Sequence, residues 1–323
     1  MNESTKRRQP TPSKNTWVAI AGLTLLAILV LIIFVRLASR LRKPGSPSSA
    51  PTSTAIARSL PQSDAQTYKA WGQASMHRQE YEQAVSDFGD AIRVAPDDAE
   101  AYYGRARAYF LLGEHTSALS DLDRAIELRP EYPAAQYYRG ATLTVLGAYD
   151  QAAVAFTAAL TLEPDFPDAY HQRAKVYLLQ MRYADAVADL TQALNLDAEL
   201  VECYYDRGRA RFEMGDFVAA ETDFGQAIDH FPDWGEAYYW RGHARFRQSM
   251  FEAALLDFDV AIALIPDHAQ SYYARGVTHN KLGYTGQARA DWEQVLTLTR
   301  DPNLIEITQA QLDALERTQT DSE

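Results

Sequence analysis

Small and apolar residues along most of this chain recur at helical spacing, in two alternating blocks. In one block Ala101, Ala108 and Leu112 share a face with Arg105; in the next, Ala118, Leu122, Ala125 and Ile126 share one. The pattern predicts two helices joined by a tight turn. The first ends near Gly113, suited to a left-handed C-cap, and Gly147, Gly215 and Gly283 occupy the same place further on. The second ends ahead of Pro130, because proline disfavours helix in the residue before it. Steps such as Pro96-Asp97 and Pro130-Glu131 then turn the chain.

The whole pattern returns every 34 residues, seven times, without insertion or deletion, over 65–98, 99–132, 133–166, 167–200, 201–234, 235–268 and 269–302. A fixed period of this length marks a stacked-helix array. One unit cannot bury its apolar face alone, so stacking creates a continuous core and an extended concave surface. With the first residue of each repeat as position 1, position 4 is Tyr68, Tyr102, Tyr170, Tyr204, Tyr238 and Tyr272, broken by Gln136. Position 8 is Gly or Ala, and position 20 is Ala in every repeat. Position 24 is bulky, from Phe88 and Leu122 to Trp292, and position 32 is Pro except at Ala198 and Arg300.

These positions and this period resemble the tetratricopeptide repeat family, over residues 65–302. The resemblance implies an all-α fold, a right-handed α-solenoid of seven helix-turn-helix repeats. It implies a concave groove lined by the first helix of each repeat near positions 2, 5, 9, 12 and 13. It also implies work in protein–protein interaction. At position 5 stand Lys69, Tyr103, Tyr137, His171, Tyr205, Tyr239 and Tyr273. Position 9 adds Arg107, Lys175, Arg209 and His243, and position 12 adds Phe110. These twelve residues are the candidate partner-binding set. Tyrosine brings large contact area and a hydroxyl at low entropic cost, which suits peptide recognition. Relatives that clamp a carboxylate tail use Lys and Asn at set groove positions; Lys69 fits that scheme, but Gln73 and Gly104 do not.

Position 7 is Arg in six repeats, Arg105 to Arg275, and position 23 is Asp in six, Asp87 to Asp291. The spacing predicts five ion pairs between the two helices of a repeat. Arg139 faces Ala155 and Asp87 faces Trp71, so two repeats lack a member. An Arg row that captures phosphate or carboxylate is the competing reading; position 7 belongs to the helix interface, which favours pairing.

Ahead of the array, Thr16 to Val35 is a run of 20 uncharged residues. At about 1.5 Å per residue it spans a bilayer core of about 30 Å. Cleaved signal peptides have a shorter apolar region and end in small residues, whereas Arg36 follows here directly. The expected order is a basic tail (1–15), a separate transmembrane helix (16–35), a Pro/Ser/Thr-rich tether (36–64), the repeats, then a C-terminal capping helix with a frayed tail (303–323). Four basic residues flank each side of the run, so the positive-inside rule gives a tie. A long C-terminal domain can translocate regardless of charge, and the repeats are expected on the extracytoplasmic side. In the cap, Leu304, Ile305, Ile307, Leu312 and Leu315 are expected to share the buried side.

Charge narrows the partners. Residues 1–43 carry +7, so the remainder carries −19 of the chain's net −12. An array this acidic repels nucleic acid and tilts the partner toward neutral or basic polypeptide. The single cysteine, Cys203, allows no intrachain disulfide. The seven histidines lack metal-ligand spacing, and neither a phosphate loop nor a Gly-x-Ser-x-Gly motif is present. The sequence therefore points to a membrane-anchored interaction scaffold or assembly factor, without enzymatic activity or cofactor. The alternatives are a structural spacer or self-assembling array without a groove ligand, and an accessory subunit of a membrane enzyme or secretion complex.

Overall fold

The first helix begins where Asp64 accepts hydrogen bonds from the Thr67 amide and hydroxyl, both at 2.8 Å, a side-chain N-cap. From there the computed structural model describes residues 64–320, with side chains to 317. It holds fifteen helices and no strand among the described residues. They are α1 (Ala65–His77), α2 (Tyr81–Val94), α3 (Ala99–Leu112), α4 (His115–Leu128), α5 (Pro133–Val145), α6 (Tyr149–Leu162), α7 (Pro167–Leu179), α8 (Tyr183–Leu196), α9 (Val201–Glu213), α10 (Phe217–His230), α11 (Gly235–Arg247), α12 (Phe251–Leu264), α13 (Ala269–Lys281), α14 (Thr285–Leu298) and α15 (Pro302–Thr320). The basic tail, the apolar run 16–35, the tether up to residue 63 and residues 321–323 lie outside the described residues. Among the described residues no helix is long and apolar enough to cross a membrane.

Helices pair within each repeat, and the second helix of one repeat packs on the first of the next. First helices of successive repeats also touch one another, whereas second helices make no comparable contact. The first helices therefore form the inner side of the curve. Residues of α1, α3, α5, α7, α9, α11 and α13 consequently line one continuous face.

Packing within a repeat turns on positions 8 and 24. A Cβ added to Gly72, Gly140, Gly208 or Gly242 would fall 2.8–2.9 Å from the phenylalanine of the same repeat, and one on Gly276 would fall 2.6 Å from Trp292. Where position 8 is Ala, at Ala106 and Ala174, position 24 is the smaller Leu122 or Leu190, and all four are fully buried. The small residue and the large one thus complement each other in all seven repeats.

The five expected Arg–Asp pairs form. Arg105, Arg173 and Arg207 grip Asp121, Asp189 and Asp223 with two nitrogens each, at 2.7–3.0 Å. Arg241 and Arg275 do the same with Asp257 and Asp291. The hydrogen bonds to Asp121 push the Arg105 guanidinium further above its usual range, against the opposing effect of burial. The position-4 tyrosine of each of these repeats lies beneath the same guanidinium, 5.3–5.8 Å from the ring centre.

The two incomplete repeats differ from expectation. Asp87 is not left alone: it accepts from Ser75 at 2.9 Å and Gln83 at 2.7 Å. Arg139 reaches back to Asp123, at position 25 of the preceding repeat, at 2.6 Å. Arg173, Arg207 and Arg275 reach the same position-25 neighbour through Thr157, Thr191 and Asp259. Position 7 therefore stitches repeats together as well as pairing the helices within each.

Position 15 is left-handed in every repeat: the four glycines named for it adopt that conformation, and so do Gln79, Met181 and Ser249, at φ of 57–64°. In α15 the buried face is Leu304, Thr308, Leu312 and Leu315, spaced by three or four residues. Ile305 and Ile307 fall between those positions and are exposed. The helix also begins at Pro302, one residue before the expected boundary.

Candidate functional site

The inner face carries the twelve candidate residues, distributed over three cavities and the ridges between them. At the N-terminal end a cavity of about 310 Å³ is lined by Lys69, Tyr103 and Arg107 with Glu100 and Tyr132. Lys69 does not offer a free cation there. Its ammonium is held by Asp98 at 2.8 Å and Glu100 at 2.9 Å, and the side chain is buried. The Arg107 guanidinium lies over Tyr138 and Tyr103, at 5.2 and 5.7 Å. Phe110 meets Tyr138 edge-on. Burial pushes the Tyr103 hydroxyl well above the usual phenol range, so it stays a neutral donor and acceptor.

The middle of the face is less open. Tyr137 packs between Phe156 and Phe166, and burial raises its hydroxyl to about 12. His171 is hydrogen-bonded to Asp206 of the next repeat at 2.9 Å. Tyr137 thus packs within its own repeat and His171 bridges to the next; neither lines one of the three cavities. A second cavity, about 360 Å³, collects Lys175, Leu178, Leu179, Asp206 and Arg209. Lys175 is exposed at its mouth. The Arg209 guanidinium stacks on Trp240 at 4.0 Å, and Tyr205 stacks on Trp234 at 4.6 Å.

The C-terminal cavity, about 370 Å³, is aromatic. Tyr239, His243 and Tyr273 line it with Phe212, Trp240 and Phe246. Burial, then the positive charges of His268 and Arg247, lowers the His243 imidazole to about 4, so it is neutral near pH 7.

Sequence reasoning missed part of this lining. Tyr132, Phe166 and Trp234 at position 34, and Tyr138 and Trp240 at position 6, complete the aromatic face. The signal was present as large aromatic residues at repeat positions that ordinary turn and helix patterning does not require. Position 13 was named but not filled: Leu111, Val145 and Leu179 form an aliphatic lip there, 50%, 56% and 55% exposed, before Glu213, Arg247 and Lys281 replace it.

Position 9 has one more property. Among the described residues six buried side-chain nitrogen or oxygen atoms lack a hydrogen-bond partner, and three are Arg107 Nε, Arg209 Nε and His243 Nε2. Buried polar atoms are normally satisfied, so their recurrence at position 9 departs from ordinary packing. No cluster able to hold a metal ion occurs among the described residues.

Models of the tetratricopeptide repeat match residues 69–133, 112–162 and 205–269, and a second model of the same repeat matches 167–200 and 269–302. The chain belongs to the tetratricopeptide repeat family. Its fold is similar to that of YrrB, a tetratricopeptide repeat protein with an unusual peptide-binding site, at 26% identity and a TM-score of 0.55, over 58% of this chain and 97% of YrrB. It is similar to the C-terminal part of a repeat protein from Cytophaga hutchinsonii, at 18% identity and a TM-score of 0.60, over 73% and 98% of the two chains. It is also similar to a repeat protein from Parabacteroides merdae, at 16% identity and a TM-score of 0.54, over 76% and 96%. No curated protein matches the chain.

Proposed function

We propose that this protein is a membrane-anchored scaffold or assembly factor that holds a polypeptide partner along the inner face of its repeats. The observation that carries the reading is the aromatic face with unsatisfied polar atoms at position 9. A spacer gains nothing from buried nitrogens left without partners, which cost about 1–3 kcal/mol each. The similar YrrB fold has a peptide-binding site, which supports a polypeptide as the partner. The apolar run 16–35 supports the anchor, and the long C-terminal domain supports an extracytoplasmic array. The acidic balance favours a neutral or basic partner.

The test is co-purification from membranes with the full chain, compared with a chain carrying Arg107→Ala and Arg209→Ala. A partner recovered with the first and lost with the second supports the scaffold. Equal recovery contradicts use of the inner face. Release of the chain by carbonate without detergent contradicts the anchor.

A further inference from the structure

The C-terminal cavity differs from the other two in having an almost wholly apolar floor. Phe212, Tyr239, Phe246, Phe258 and Val277 surround it, and the His243 ring meets Tyr239, Phe258 and Trp240 at 4.5–5.8 Å. Two charged side chains stand at the rim, Glu213 and Arg247, of opposite sign, on adjacent first helices. Inside, the polar atom without a partner is His243 Nε2.

Resting on the peptide-scaffold reading, we infer that this cavity is the anchor pocket for one bulky, uncharged apolar side chain of the partner. A backbone amide or carbonyl beside that side chain hydrogen-bonds His243 Nε2. A charged anchor finds no counter-ion on the floor, and burying it unpaired is strongly unfavourable. The rim is electrically balanced and favours neither sign. A lipid chain would fill the space but offers nothing to the imidazole, whereas every residue of a peptide carries a donor and an acceptor. About 370 Å³ lies at the small end of ligand pockets, roughly 300–1,000 Å³. It holds a side chain, and a whole helix would not enter. The neutral imidazole suits this role, because a charged ring would resist the apolar anchor.

The experiment selects peptides from a random dodecamer phage library on the full chain in detergent. The selected peptide, fluorescein-labelled, is then titrated by anisotropy. Selected sequences should share one Leu, Ile, Met, Phe or Trp. Changing that residue to Ala should weaken binding about tenfold or more, the worth of one buried side chain. Changing it to Asp or Lys should abolish binding. His243→Phe should weaken the peptide about tenfold while raising the melting temperature of the free protein, since it removes an unsatisfied atom from a buried site. Should that variant not fold, Val277→Phe fills the cavity from repeat 7 and should weaken the same peptide. Val218→Ala, at an exposed position on the second helix of repeat 5, should leave affinity within about twofold. Selected peptides without an apolar anchor, or a titration indifferent to both His243→Phe and Val277→Phe, overturn the inference. If such peptides are instead weakened by Arg107→Ala, the scaffold reading stands and only the anchor pocket falls. No selection at all overturns the anchor, and equal partner recovery in the membrane co-purification separately removes the scaffold.

Discussion

One methyl group separates two solutions to the same packing problem. At position 8 a glycine admits Phe or Trp at position 24, and an alanine admits only Leu. Gly208→Ala should therefore destabilise by roughly 1–3 kcal/mol through overpacking against Phe224. Adding Phe224→Leu should recover much of that loss, as Ala174 and Leu190 already coexist one repeat earlier. Denaturant unfolding of the single and double variants reads the coupling; strictly additive losses would show that the two positions do not share one space. Met181 holds a left-handed backbone that opposes its side chain, with no glycine to relieve it. His243 gives the residue scale a pH signature. Its folded pKa is held near 4, below the unfolded value near 6.5, so the folded state binds fewer protons. Its contribution is whole above pH 6.5 and is lost as pH falls toward 4, by up to about 3 kcal/mol. The stability advantage of His243→Phe over the parent should grow across that window. An advantage that stays constant from pH 7 to pH 4 would contradict the buried neutral imidazole.

At the scale of elements, the helices of each repeat are joined by an ion pair that is costly to break and of small net worth when intact. Asp223→Ala would strand both Arg207 and Arg211, which reach it at 2.8 Å, in a site where the carboxylate is only 2% exposed. The expected loss is about 3–5 kcal/mol. Asp87→Ala removes only hydrogen bonds from the neutral donors Ser75 and Gln83, strands no cation, and should lose less, about 1–2 kcal/mol. Equal shifts in thermal unfolding would show that the charge of the pair has no energetic role. Much of this was legible. The period of 34 located a helix pair in every repeat, and the sixteen-residue spacing named the five pairs, because both are local and recur. What escaped were contacts between repeats: Arg139 with Asp123, His171 with Asp206, and Lys69 with Glu100. Those depend on how one repeat is rotated on the next, which no single repeat encodes. Ile305 and Ile307 were misplaced for a related reason: apolar character alone does not say which residues of a helix face its neighbour.

Over the whole molecule, each repeat touches mainly its neighbours, so stability propagates along one dimension. The cap seals the last unit: Leu312 and Leu315 cover Trp292, and Leu304 covers Val295. Ending the chain at residue 301 should speed amide exchange in α13 and α14 and leave α1 to α4 unchanged. Uniform acceleration along the array would indicate one cooperative block instead. The central claim, that the inner face holds a polypeptide, is tested most directly by placing a photo-crosslinking amino acid at single exposed positions in the full chain in its native cell. Leu111 and Leu179 lie on the inner lip and are half exposed; Val154, Val218 and Leu256 lie on second helices and are more exposed still. The account predicts a discrete polypeptide adduct from Leu111 and Leu179 and none from the three second-helix sites. An adduct from Val154, Val218 or Leu256, with none from the inner lip, would contradict it.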